Sequence, residues 1–154
     1  MREIGAEISR DYAGRELLLV GSLKACIPFI CDLSRAITIH HALDFLELAG
    51  YGENDEGIRF LKDLDTEIAG RDVLLVDAVI DTGLTMHYVT RSMAIRDPAS
   101  LHIATLFERP YRRLVDDLPV RHVGFTIPDE FFVGYGFELD ERYRNLPDLR
   151  LLRS

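Results

Sequence analysis

Between Val73 and Thr85 the chain reads Val-Leu-Leu-Val-Asp-Ala-Val-Ile-Asp-Thr-Gly-Leu-Thr, an apolar run followed by acids, hydroxyls and a glycine. That order suits the capture of a phosphate-like anion. Val73 to Val76 predict a strand buried on both faces, and the small polar residues after it predict a tight turn into a helix. A helix N-terminus offers unpaired N–H donors and partial positive charge. Thr82 and Thr85 add hydroxyl donors, Gly83 lets backbone approach closely, and the amide of Leu84 falls in the same turn. Asp77 stands where a carboxylate can address ribose hydroxyls or a metal-bound network. Asp81 carries two readings. Beside a phosphate it is repelled, which points to a chemical role; aspartate is also a good helix N-cap.

The surrounding elements must hold this turn at a sheet edge. Apolar spacing predicts helices over 3–12, Ala25 to Ile37 and Leu84 to Ile95, with Pro98 just past the last. Strands are predicted at Leu17–Gly21, Ala42–Leu48, Ile58–Leu61, Val73–Val76, Leu101–Phe107 and His122–Phe125. Gly50 to Gly57 is polar and glycine-punctuated and reads as a mobile loop. An irregular, aromatic-rich segment runs from Phe125 to Arg144. Alternating strands and helices predict an α/β fold, a mainly parallel sheet flanked by helices on both faces. In such sheets ligands sit beyond the C-terminal strand ends. A length of 154 residues fits one domain over 1–154.

The net charge of −8 argues against a broad nucleic-acid or anionic-membrane surface. Cys26 and Cys31 lack CxxC spacing and read as two buried thiols in a reducing compartment. No apolar run has the length of a membrane span, and Met1–Ile4 opens no apolar leader. The expectation is a cytoplasmic protein.

The Val73–Thr85 segment closely resembles the phosphoribosyl-pyrophosphate (PRPP) signature of type I phosphoribosyltransferases. The rest resembles their hypoxanthine/guanine branch. Leu18–Lys24 is similar to its pyrophosphate loop, and Phe60–Asp65 to the strand after its lid. Val123–Phe131 and Val133–Gly136 are similar to its purine hood, which Asp140–Pro147 continues. The likeness runs from Ile4 to Pro147, in the family's order, and implies the family's fold with a small C-terminal hood.

What the resemblance implies is transfer of a phosphoribosyl group from PRPP, with Mg2+, to N9 of a 6-oxopurine, releasing pyrophosphate in purine salvage. Asp81 matches the acid at purine N7, usually cast as general base. Asp77 matches a ribose contact, and Thr82, Gly83, Leu84 and Thr85 match the 5′-phosphate cradle. Lys24, in a loop that often carries a non-proline cis peptide, and Arg144 match pyrophosphate contacts; Tyr51 matches the lid. Arg109, Phe131 and Phe132 match purine-site positions, Phe131 being the stacking ring. Glu138 matches a magnesium-associated acid. The family forms dimers or tetramers, so a homo-oligomer is implied by analogy.

Departures cluster at the site. Ala78 replaces a second aspartate, and Asp77 a glutamate. Ala25 replaces the glycine after Lys24, and Gly50 the serine before Tyr51. Arg109 replaces a lysine, Glu138 an aspartate, Phe132 a smaller aliphatic residue. The stretch from Tyr51 to Lys62 is also shorter than usual. These changes keep two alternatives open: a PRPP- or nucleotide-binding regulatory paralogue, and a transferase with altered base preference. Other groups read as ordinary surface or core. His40 and His41 point oppositely on a strand, and His87 reads as a plain helix residue. The basic stretch Arg109-Pro110-Tyr111-Arg112-Arg113 is followed by Asp116 and Asp117, which argues against RNA.

Overall fold

The computed structural model describes residues 1–49 and 57–152. The loop expected over Gly50–Gly57, with Tyr51, lies outside the described residues except for Gly57. Its elements are α1 (Arg2–Asp11), β1 (Leu17–Ser22), α2 (Ile27–Ala36), β2 (His41–Ala49), β3 (Arg59–Lys62) and β4 (Asp72–Ile80). They continue with α3 (Leu84–Ala94), β5 (Ser100–Glu108), a 3-10 turn (Pro110–Arg112), β6 (Val120–Thr126), β7 (Phe132–Val133) and β8 (Arg150–Leu151). The main sheet has six strands in the order β3-β2-β1-β4-β5-β6. Only β3 runs antiparallel, against β2. The α/β expectation holds.

The all-apolar strands serve two cores because successive side chains point to opposite faces. Leu17, Leu19, Leu74 and Val76 pack with Ile4 and Ile8 of α1 and with Phe29, Ile30 and Leu33 of α2. Leu18, Val20, Val73 and Leu75 pack with Met86, Val89 and Met93 of α3. Helices therefore cover both faces. The strand order reverses between β1 and β4, and a crevice opens at their carboxyl ends.

Three local expectations change. Strand β4 does not stop at Val76, because its ladder with β5 continues through Asp77↔Thr105, Val79↔Phe107 and Ile80↔Glu108. The turn therefore begins at Asp81. Helix α2 begins at Ile27, with Pro28 in its first turn, where a missing N–H costs nothing. Cys26 is buried, but Cys31 is exposed, on the helix side opposite Phe29, Ile30 and Leu33. Among the described residues no helix is long and apolar enough to cross a membrane.

The aromatic-rich segment after β6 folds over the crevice as a hood, with β7 and β8 as a small antiparallel pair. It is latched to α2 by Tyr135, whose hydroxyl donates to Asp32 Oδ2 at 2.7 Å. Gly136, at φ +96°, lies against the Ala25 carbonyl so closely that a Cβ would overlap it.

The β2–β3 hairpin is fixed at its base by Asp44, which is 5 % exposed. Its Oδ2 accepts the amides of Asp65 (3.0 Å) and Thr66 (2.8 Å), and Oδ1 that of Phe45 (2.7 Å). Lys62 Nζ lies 3.6 Å away. Burial pushes this carboxyl up, but the donated amides and Lys62 reverse it, leaving it below the usual carboxylate range. Asp44→Ala should cost about 1–3 kcal/mol in urea unfolding at pH 7, because buried amides lose their acceptor. A lowered pKa adds stability above the unfolded value, about 3.9, which is lost as pH falls through the folded one. The gap between wild type and variant should therefore close below about pH 4.

Candidate active site

The turn after β4 and the loop after β1 meet under the hood. In the first, Gly83 takes a left-handed conformation (φ 86°) as the N-cap residue of α3. Asp81 makes no side-chain cap bond to the helix. The Leu84 amide faces Thr82 Oγ1 at 3.5 Å. In the second, the Leu23–Lys24 peptide is cis.

Two cavities adjoin. The smaller, about 210 Å³, is walled by Asp77, Thr82, Gly83, Thr85 and Met86, with Val79 and Ile80 at the end of β4 and Asp81 at the start of the turn. Leu84 contributes no side chain to it. The larger, about 310 Å³, is lined by Ala25, Val79, Asp81, Arg109, Phe131, Phe132, Phe137, Glu138 and Arg144. Val79 and Asp81 belong to both, so Asp81 stands where they join.

Asp81 is set between two guanidiniums. Arg112 Nε lies 2.9 Å from Oδ1 and Arg109 Nη1 3.7 Å from Oδ2. The closer contact is an ion pair without hydrogen-bond alignment, because Oδ1 is buried with no hydrogen-bond partner. Arg109 Nε and Arg144 Nε are also buried without one. Buried orphaned polar atoms are uncommon, and these three belong to residues lining one cavity. Arg109 Nη2 donates to the Glu130 carbonyl at 2.7 Å. Arg112 Nη1 donates to Asp129 Oδ1 at 2.6 Å.

Burial pushes the Asp77 carboxyl up to about 7, although the amides of Ala78 and Val79 pull it down. Burial, with Asp77 nearby, pushes the Cys26 thiol up to about 12. That thiol is inert at neutral pH.

A family model for the phosphoribosyl transferase domain matches residues 1–142. The chain belongs to the phosphoribosyltransferase family. It is 44% identical to a hypoxanthine phosphoribosyltransferase of Salmonella typhimurium, over 94% of this chain and 84% of that protein. It is 42% identical to a hypoxanthine-guanine phosphoribosyltransferase of Streptococcus agalactiae, over 99% and 86%. Its fold superposes on a crystal structure of a hypoxanthine phosphoribosyltransferase from Staphylococcus aureus with a TM-score of 0.93. That match has 38% identity and covers 99% of this chain and 84% of the other.

In this phosphoribosyltransferase the structure gathers most of the residues singled out in the sequence. Asp77, Asp81, Thr82, Gly83 and Thr85 wall the smaller cavity, and Arg109, Phe131, Phe132, Glu138 and Arg144 the larger. Lys24 lines neither and instead reaches Glu141, with Nζ 3.1 Å from Oε2. Sequence reasoning missed Phe137, Glu141 and above all Arg112. The Arg109–Arg113 stretch signals cations, but only the fold turns them inward, Arg112 to Asp81 and Asp129, Arg113 to Glu108 at 3.3 Å.

Among the described residues no group of three or more His, Cys, Asp or Glu forms a metal site. The magnesium that the resemblance implies commonly binds through one or two carboxylates plus substrate phosphates. Glu138 in the larger cavity and Asp77 in the smaller are hard-oxygen donors of that kind.

A carboxyl raised to about 7 destabilises the fold once pH passes its unfolded value, about 3.9. The penalty grows up to about pH 7 and then levels off. Asp77→Asn should therefore raise Tm by a few degrees at pH 8 and by much less at pH 4.5, measured by thermal unfolding without ligand. An equal shift at both pH values contradicts the raised carboxyl.

Proposed function

We propose that this chain is a hypoxanthine/guanine phosphoribosyltransferase, moving 5-phosphoribosyl from PRPP to N9 of a 6-oxopurine to give a nucleoside 5′-monophosphate and pyrophosphate. The observation that carries the proposal is the meeting of the two cavities at Asp81. One ends in a helix N-terminal turn suited to a monoester phosphate, the other in aromatic rings and arginines suited to a flat base and a diphosphate. The relatives described above are transferases by name, which supports turnover over a binding-only role.

In this reading Thr82, Gly83, Thr85 and the Leu84 amide hold the 5′-phosphate. Asp77 accepts from the ribose hydroxyls. Phe131, 53 % exposed, stacks on the purine and becomes covered. Arg109 is close enough to Asp81 to reach the purine O6, and the backbone at Phe132 contacts the base edge. Asp81 takes a share of the N7 proton as the ring becomes a better nucleophile. Arg112 keeps that carboxylate aimed and ties it to the hood through Asp129. Lys24 and Arg144 hold the pyrophosphate. Tyr51 is assigned to the lid that keeps water away. Magnesium, bound with Glu138 and the diphosphate, would neutralise charge on the leaving group. The proposal includes a cytoplasmic setting and a homo-oligomer.

Steady-state assay of hypoxanthine, guanine and xanthine with PRPP and magnesium tests the activity. Pyrophosphate release with at least one of these bases is expected; tight nucleotide binding with release for none overturns it. Asp81→Asn should lower kcat by roughly 10²–10⁴-fold and leave the KM for PRPP little changed. Arg112→Ala should raise the KM for the purine and lower kcat, with partial recovery in Arg112→Lys, because a lysine reaches one carboxylate but not two. Full recovery by lysine would sink the two-sided role of Arg112.

A further inference from the structure

Lys24 and Arg144, the cations assigned above to pyrophosphate, share one internal anion. Glu141 Oε2 lies 3.1 Å from Lys24 Nζ, and its Oε1 lies 3.0 Å from Arg144 Nη2. Lys24 stands in the loop after β1 and Arg144 at the far end of the hood, so one carboxylate joins parts of the chain more than a hundred residues apart.

The backbone is bent to place it. Asp140, Glu141 and Tyr143 have φ of 50°, 59° and 72°. Side chains other than glycine enter that region rarely, and a cluster of such residues marks a shape held for a purpose. Glu138 Oε2 accepts the Glu141 amide at 2.7 Å, and the Leu139 and Arg142 backbones bond reciprocally to close the loop. Arg144 first, then Lys24, holds the Glu141 carboxyl below the usual range. Its side chain is 64 % exposed and that of Lys24 52 %. The Lys24 pair is solvated, and such pairs are weak and exchange readily; Arg144 is more enclosed, its side chain 26 % exposed.

A carboxylate bridging an ammonium and a guanidinium offers what two oxygens of a diphosphate offer: negative charge and acceptors at the same two donors. We propose that Glu141 is an internal competitor at the pyrophosphate subsite. Its carboxylate keeps Lys24 and Arg144 in place while the subsite is empty, and it is displaced when a diphosphate arrives. Glu141 thereby sets the affinity for PRPP and pyrophosphate and eases departure of the product. The inference rests on the assignment of Lys24 and Arg144 made above.

Calorimetric titration with inorganic pyrophosphate, with and without magnesium, separates the two. Lys24→Ala tests the subsite: it should weaken pyrophosphate binding, and unchanged affinity removes the assignment itself. Glu141→Gln keeps the shape and removes the charge. It should bind pyrophosphate roughly three- to tenfold more tightly than wild type, the scale of an exposed ion pair, and the gain should shrink at high salt. In assays its KM for PRPP should fall while the KM for the purine stays unchanged. Glu141→Ala should shift affinity in the same direction, with circular dichroism confirming that both variants fold. If Lys24→Ala weakens binding while Glu141→Gln binds equally or less tightly, Glu141 only braces the cations and the proposal is overturned.

Discussion

A carboxylate held between two guanidiniums is the junction on which this site depends. Asp81 opens the turn after the central strand, and Arg109 and Arg112 reach it from the segment that follows the neighbouring strand. An isolated buried carboxylate is costly unless paired. Here the pairing also carries a link outward. Arg112 passes the connection on to Asp129 and Arg109 to the Glu130 carbonyl, so the start of the hood is located relative to the end of β4. The aromatic wall carried by Phe131 and Phe132 takes its position from that linkage.

The far end of the hood is located by a different route. Gly136 lies against the Ala25 carbonyl, Tyr135 bonds to Asp32, and Arg144 donates to the Gly136 carbonyl at 2.8 Å. These contacts refer the hood to β1 and α2. The larger cavity is therefore bounded by two independently fixed ends, one referred to each strand flanking the switch point.

Much of this was legible in the sequence, for a physical reason. The buried strands are continuous apolar runs, and the turn after β4 needs small, hydroxylated residues, so both announce themselves locally. The extension of β4 to Ile80 did not, because Asp77 interrupts the apolar run while the backbone ladder continues regardless of side chain. Cys31 looked buried because its neighbours are apolar, but helical rotation turns it to solvent. The roles of Arg112 and Glu141 depend on partners about thirty and over a hundred residues away. No local pattern encodes such pairings: the β4–β5 ladder brings Arg112 to Asp81, and the hood folding back over the loop after β1 brings Glu141 to Lys24.

The segment between Arg109 and Leu118 touches both halves of the site. At one end its arginines grip Asp81. Further on, the Leu114 amide donates to the Thr82 carbonyl at 2.8 Å, and Arg113 and Leu118 crowd the side of Gly83 where a Cβ would stand. One short stretch of chain thus backs the base end and the phosphate end together and works as a gauge. Under the proposed function, it fixes the span that a ligand must bridge. A molecule of nucleotide length fills both ends, whereas a free base or a bare sugar phosphate engages only half.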